Sequence, residues 1–201
     1  MNIKHIMDKI KDVGLINCVK VFLKRKKFLE LQKKHHFDDW HAYPFEARKY
    51  LQEVEKYVSS KNADVVVDIG CGLGELLRHI KAKRKIGLDI GKANLAAANE
   101  LGGDIEFSYG SFDELNMKES IDYVITLGFT HGGTEDMWRD MYTNCANRND
   151  IKCFIVDTVP DDGSSHYLHY DQILPSNYKL TEKMGPFFGG RVIEVYRKTE
   201  A

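Results

Sequence analysis

The sequence predicts an α/β protein, a doubly wound sheet preceded by an N-terminal helical extension, and three observations carry that prediction. Val65, Val66 and Val67, followed by Asp68 and Ile69, form a β-branched apolar run that reads as a fully buried strand. Three alternate glycines, Gly70, Gly72 and Gly74, follow it directly, and Leu73, Leu76, Leu77 and Ile80 then recur at helical spacing. Beyond this strand-to-helix turn, strand-like and helix-like segments alternate along most of the remaining chain.

Taken in order, Ile3, Ile6, Met7, Ile10 and Val13 lie on one helical face before Gly14, and Leu15, Val19, Phe22 and Leu23 continue as a second amphipathic stretch. An aromatic and imidazole cluster, residues 35–44, ends at Pro44, which suits the start of a helix over 45–58. The strand at 64–69 is followed by a second at 85–90, a helix at 93–101, strands at 105–109 and 121–127, a helix at 134–146 and a strand at 151–157. Residues 178–184 and 191–197 read as two closing strands with no helix between them. The expected division is an N-terminal segment, 1–59, and an α/β domain, 60–201.

Composition bounds the setting. The 201 residues, 43% hydrophobic, suit one domain with a proper core and a modest extension. The longest apolar run near the start is broken by Lys20 and followed by Lys24, Arg25, Lys26 and Lys27, so neither a membrane span nor a cleavable signal is expected, and the expected location is cytoplasmic. Cys18, Cys71, Cys145 and Cys153 are scattered without a Cys-x-x-Cys pair, which argues against a zinc knuckle or a disulfide framework. The net charge of -1 hides an asymmetry. Residues 1–34 hold ten Lys or Arg against three Asp or Glu, a basic arm on an acidic domain. Its apolar face is expected to pack on the domain or on a second copy of the chain; peripheral contact with an anionic membrane surface, or with another anionic partner, is the alternative.

The glycine spacing separates two nucleotide-binding readings. A dinucleotide fingerprint needs its third glycine three residues after the second, where Glu75 stands; Gly74 comes one residue too early. Apolar residues, Asp68, one further residue and Gly-x-Gly-x-Gly instead resemble motif I of the class I S-adenosylmethionine-dependent methyltransferases. The resemblance covers residues 60–198 and implies a Rossmann-like seven-stranded sheet whose last strand is antiparallel. It implies S-adenosylmethionine as cofactor, with Asp68, Gly70, Cys71, Gly72 and Gly74 along its amino-acid part. Asp89 and Ile90, at the end of the second strand, are expected at the ribose, since a carboxylate there can accept both hydroxyls of an adenosine. Asp89 also stands at a distance that a dinucleotide fold allows. Ser111 replaces the acid that the family often has after Gly110, so the adenine contact is expected from Ser111 with Phe112, or from Asp113. Leu127, at the end of strand four, and Tyr43, in the segment that precedes motif I, complete the expected cofactor site. Phe37, Asp38, Trp40, His41, Arg48 and Tyr50 look like the leader of small methyltransferases associated with bacterial surface polysaccharide assembly.

Methyl transfer is an in-line displacement, so a hydroxyl acceptor must be aligned and must lose a proton. His131, at the carboxyl end of strand four beside Gly132 and Gly133, is the expected base or orienting group; His166 and His169, after strand five, are the further candidates. Catechol-type enzymes place an acid after strand four and another after strand five to chelate a divalent cation. Asp157 matches the second position, with Asp161 and Asp162 nearby, but Gly128, Phe129 and Thr130 leave the first without an acid, so no metal is expected. The Asn/Asp-Pro-Pro-Tyr element of exocyclic-amine methyltransferases is missing after strand four, which argues against nucleic acid. A small molecule or saccharide hydroxyl is the expected acceptor. A metal-assisted O-methyltransferase using Asp157 with Asp161 or Asp162, a non-catalytic adenosylmethionine-binding protein and an NAD-dependent reductase remain the competing readings.

Overall fold

A computed structural model describes residues 15–130, 132–160 and 167–199. Its centre is a seven-stranded sheet of order β3-β2-β1-β4-β5-β7-β6. The strands are β1 (Ala63–Ile69), β2 (Ala82–Asp89), β3 (Glu106–Tyr109), β4 (Tyr123–Thr126), β5 (Cys153–Thr158), β6 (Tyr178–Met184) and β7 (Val192–Lys198). The first five are parallel; β7 lies antiparallel to both β5 and β6. The doubly wound sheet with its antiparallel last strand is therefore present, and the order of strand addition reverses between β1 and β4, where such sheets open their ligand crevice.

The valine run of β1 shows why the sheet is two-sided. Side chains alternate across a strand, so Val65, Val67 and Ile69 face one core and Val66 the other. On the first face Phe112, Phe154 and Tyr178 pack with Trp138, Tyr142 and Cys145 of α4 (Glu135–Arg148) and with Tyr170 of the short α5 (Tyr170–Ile173). On the second, Leu51, Val54 and Val58 of α2 (Lys49–Ser59) pack with Leu76, Leu77 and Ile80 and with Leu95 of α3 (Lys92–Leu101). Helix α4 starts at Thr134, whose hydroxyl accepts from the Met137 amide at 3.2 Å, and carries Glu135 and Asp136 in its first turn, where the helix dipole favours acids.

Two expected helices differ. Residues 45–58 are not one helix: a 3₁₀ turn, Phe45–Ala47, precedes α2, and Arg48 between them has φ -123°. Phe45 is drawn down onto the domain, its amide donating to Glu75 at 3.1 Å and its ring stacking on His79 at 3.8 Å, so the first turn cannot continue in line. Residues 72–79, after the glycines, form successive turns instead of a regular helix. Arg78 donates to the Leu73 carbonyl and the His79 ring to the Glu75 carbonyl at 2.8 Å, taking acceptors that a helical ladder would use.

The basic arm is one continuous helix, α1 (Leu15–His35), within the described residues; the apolar face of residues 3–13 lies outside them. Its C-terminal half docks through Phe28 and Leu31 against Phe37, Ala42, Leu73 and Ala97, supported by Lys24 to Glu46 at 2.5 Å and by Lys34 and His35 to Glu100 at 2.7 Å each. Phe22 and Leu23 do not pack; they are 79% and 68% exposed. No helix of the described residues is long and apolar enough to cross a membrane.

Candidate active site

The site begins with the glycine loop. Gly70, Gly72 and Gly74 all have positive φ, at 74°, 54° and 71°, a left-handed region that other residues enter at a cost. The space around them is also taken. A Cβ on Gly70 would meet the Phe129 ring at 2.6 Å, and one on Gly72 the His41 ring at 2.3 Å. Gly74 has a different duty: its Cβ would meet the Phe107 ring at 2.5 Å, and it lines none of the cavities described below, so it serves the packing behind the loop.

Two acids converge at the strand ends. Asp89 accepts from the Gly72 amide at 2.7 Å through Oδ2, and from the Gly91 amide at 2.6 Å and Asn94 Nδ2 at 3.1 Å through Oδ1. One carboxylate thus holds the glycine loop and the start of α3 together, while Oδ2 retains a lone pair for a ligand hydroxyl. Asp68 is buried, and burial, then the neighbouring Asp89, push its carboxyl up to about 8. Such a pair favours a ligand that brings positive charge and hydroxyl donors, and S-adenosylmethionine, with an ammonium, a sulfonium and a ribose diol, has both. The residues present therefore fit that cofactor. The Cys71 thiol is pushed well up, by burial first and then by both acids, and donates weakly to the Gly72 carbonyl; it is a packing group of the loop.

The walls come from four loops. A cleft of about 280 Å³ lies among Trp40, His41, Asp89, Ile90, Ser111 and Leu127. An adjoining cavity brings Tyr43, Arg48, Asp68, Cys71, Glu75 and Leu127 together around the same loop. Ile90 is 70% exposed, as a side chain waiting to cover a ligand would be. The structure thus gathers Tyr43, Asp68, Gly70, Cys71, Asp89, Ile90, Ser111 and Leu127 as expected from the sequence. Gly72 shapes the loop from beneath His41. The Phe112 side chain is wholly buried, 4.8 Å from the Tyr142 ring and within the aromatic core, and lines none of the described cavities. Asp113 is drawn away to Arg148 at 3.3 Å.

His41 is the residue that sequence reasoning passed over. Its Nδ1 lies 2.9 and 3.0 Å from the two Asp38 oxygens, and its ring lines both the cleft and the glycine-loop cavity. Burial raises the Asp38 carboxyl, but the charge and hydrogen bonds of His41 outweigh it and hold the group below the usual range. The signal was present as Asp38 and His41, three apart in the leader. Among the expected bases, His131 and His166, with Asp161 and Asp162, lie outside the described residues. His169 stands at the N-cap position of α5, its backbone amide donates to Glu135 at 3.2 Å and its ring lies edge-on to Tyr167; it lines none of the described cavities. Asp157, the matching position for a metal ligand, is instead wholly buried in an ion pair with Arg191 and accepts from the Gly128 amide at 2.9 Å. Among the described residues no cluster of His, Cys, Asp or Glu has the make-up of a metal site.

Residues 66–148 match the family model described as a methyltransferase domain. Comparison with curated protein sequences gives no match. In fold, the chain is similar to magnesium protoporphyrin IX methyltransferase (ChlM) from Synechocystis PCC 6803 with bound SAM, at 16% identity and TM-score 0.62, over 90% of this chain and 97% of that one. It is similar to the N-methyltransferase NodS from Bradyrhizobium japonicum WM9 in complex with S-adenosyl-l-homocysteine, at 14% identity and TM-score 0.67, over 86% of this chain and 98% of that one. The small RNA methyltransferase HEN1 is also similar, at 19% identity and TM-score 0.59, over 76% of this chain but 25% of that one. The agreement is in fold, and the three differ in what their names say they methylate.

Proposed function

From the class I S-adenosylmethionine-dependent methyltransferase domain that this chain carries, we propose that it methylates a hydroxyl of a small molecule or saccharide, with a histidine as general base. The observation that carries this reading is the His41–Asp38 pair at the cofactor cleft, an imidazole oriented by a carboxylate at 2.9 Å. When bound, the cofactor supplies an electrophilic methyl group on a sulfonium sulfur. The chain's own residues do the rest. Asp68 and Asp89 offer carboxyl oxygens as hydrogen-bond partners to the cofactor's ammonium and hydroxyl groups, and a bound cation would favour the ionised form of Asp68. His41, its Nδ1 turned to Asp38, keeps Nε2 to take the proton that the acceptor hydroxyl would lose. Trp40 and Tyr43 exclude water from the joint cavity. His131, next to Gly132 at the end of the β4 loop, is the alternative base.

The test is turnover of labelled adenosylmethionine on a panel of hydroxyl acceptors, nucleotide sugars and polysaccharide fragments first, by His41→Ala and His131→Ala. The base should lose about 10²- to 10⁴-fold in kcat, with S-adenosylhomocysteine affinity retained. If both variants transfer methyl groups as fast as the parent, histidine base catalysis is wrong.

A further inference from the structure

We propose that the outward side of α1 docks on an anionic membrane surface, the helix lying along the lipid headgroups. Helix α1 has two opposite sides. Phe28 and Leu31 are turned to the domain and buried against Phe37, Ala42, Leu73 and Ala97. Phe22, Lys26, Leu29 and Lys33 follow one another at steps of four, three and four residues, which sets them on one stripe along the other side. All four are exposed, and Leu23 with Lys27 makes a second exposed row beside them.

Charge selects the partner. Within α1, seven Lys and Arg stand against one acid, Glu30. Lys24 pairs with Glu46, Lys34 with Glu100, and Arg25 lies 4.8 Å over the Tyr43 ring. Lys20, Lys26, Lys27 and Lys33 are exposed and have no acid partner among the described residues. The chain beyond residue 34 carries an excess of acids. An anionic surface therefore attracts this helix and repels the domain behind it, which fixes the side of the molecule that faces the lipid.

The order of residues along the stripe favours a bilayer over a second copy of the chain. Lysines are interleaved with Phe22 and Leu29, and the buried centre of a protein–protein interface excludes such charges. At a bilayer the interleaving fits: apolar side chains enter below the headgroups while lysine stems reach back to the phosphates. Nucleic acid would use the cations and leave Phe22 and Leu23 without a role. No described helix is long and apolar enough to cross a membrane, so α1 would lie on the surface. The docking is independent of the acceptor's identity.

The test is cosedimentation of the full chain with vesicles of phosphatidylglycerol and phosphatidylcholine in equal parts, and with vesicles of phosphatidylcholine alone. The chain should bind the anionic vesicles at least about tenfold more tightly, and less so as salt rises. Two double variants at exposed positions, each expected to melt as the parent does, separate the contributions. Phe22→Gln with Leu23→Gln should weaken binding to anionic vesicles about tenfold. Lys26→Gln with Lys27→Gln should weaken it about as much and shrink the preference for anionic lipid. No binding by the parent, equal binding to the two vesicle types, or parent-like binding in either double variant would each overturn the proposal. So would a dimer in analytical ultracentrifugation that dissociates in Phe22→Gln with Leu23→Gln, since a second copy would then cover the face.

Discussion

The Gly72 amide donates to the Asp89 carboxylate at 2.7 Å, and this one bond ties the loop after β1 to the end of β2. On the other side of the same residue lies the His41 ring. Gly72 is thus held between the sheet and the N-terminal segment, which joins the two parts of the cofactor cleft.

Gly72→Ala should therefore fail on two counts, a left-handed backbone and a Cβ 2.3 Å from His41. The expected loss is about 1–3 kcal/mol of stability together with at least about tenfold in S-adenosylhomocysteine affinity. Gly102→Ala is the matched control: φ is +71° but no atom lies within 4 Å of the added Cβ, so it should lose stability and leave affinity intact. Calorimetric titration of both variants separates strain from collision; unchanged affinity in Gly72→Ala would remove His41 from the loop.

The position of Asp68 predicts a pH dependence. With its carboxyl raised to about 8, the folded chain keeps a proton that the unfolded chain has already released. Between the ordinary carboxylate range and pH about 8, the ligand-free protein therefore loses stability as pH rises. Asp68→Asn should flatten that part of the melting-temperature profile and raise the midpoint at neutral pH. Cofactor affinity should move oppositely in the parent, growing as Asp68 ionises, and should lose this pH dependence in the variant. Parallel melting profiles for parent and variant would contradict the assignment.

Removing Arg191 should be costly, because it takes the ion-pair partner from a wholly buried carboxylate. Arg191→Met is expected to destabilise the chain by about 3–5 kcal/mol, and the double change with Asp157→Asn by clearly less. Since Asp157 is engaged by Arg191 and Gly128, chelators should not slow methyl transfer, and added magnesium should not speed it. Denaturant unfolding of the two variants and a chelator titration of activity check both statements.

Asp38→Asn should keep a hydrogen-bond acceptor for the His41 ring but remove the carboxylate's charge. The expected outcome, if His41 is the base, is a kcat loss of about tenfold or more with the acceptor KM little changed. A change in KM alone would mark Asp38 as a structural support of the leader.

Much of this was legible in the sequence because it depends on local patterns. The valine run, the closing strands without an intervening helix, and the glycine spacing with Asp68 and Asp89 each state a backbone requirement that few alternatives meet. What escaped depends on contacts between distant residues. The turns at 72–79 carry helical spacing, but Arg78 and His79 take carbonyls of the backbone, which no periodicity announces. Phe112 looked like a ligand contact by its place after β3; only the aromatic cluster formed with Tyr142, Phe129 and Trp138 shows it to be core. His41 was visible within the leader, yet its closeness to Gly72 comes from how Phe45, Phe37 and Leu31 seat that leader on the sheet.

Trp40 borders all three cavities, while the segment that carries it ends well before residue 66, where the methyltransferase domain match begins. The glycine loop and both strand-end acids come from the matched domain or its edge, but His41 and Tyr43 reach the same cavity from a stretch of chain that lies outside the match. The fold therefore completes its site with a segment that the sheet's own sequence pattern does not contain.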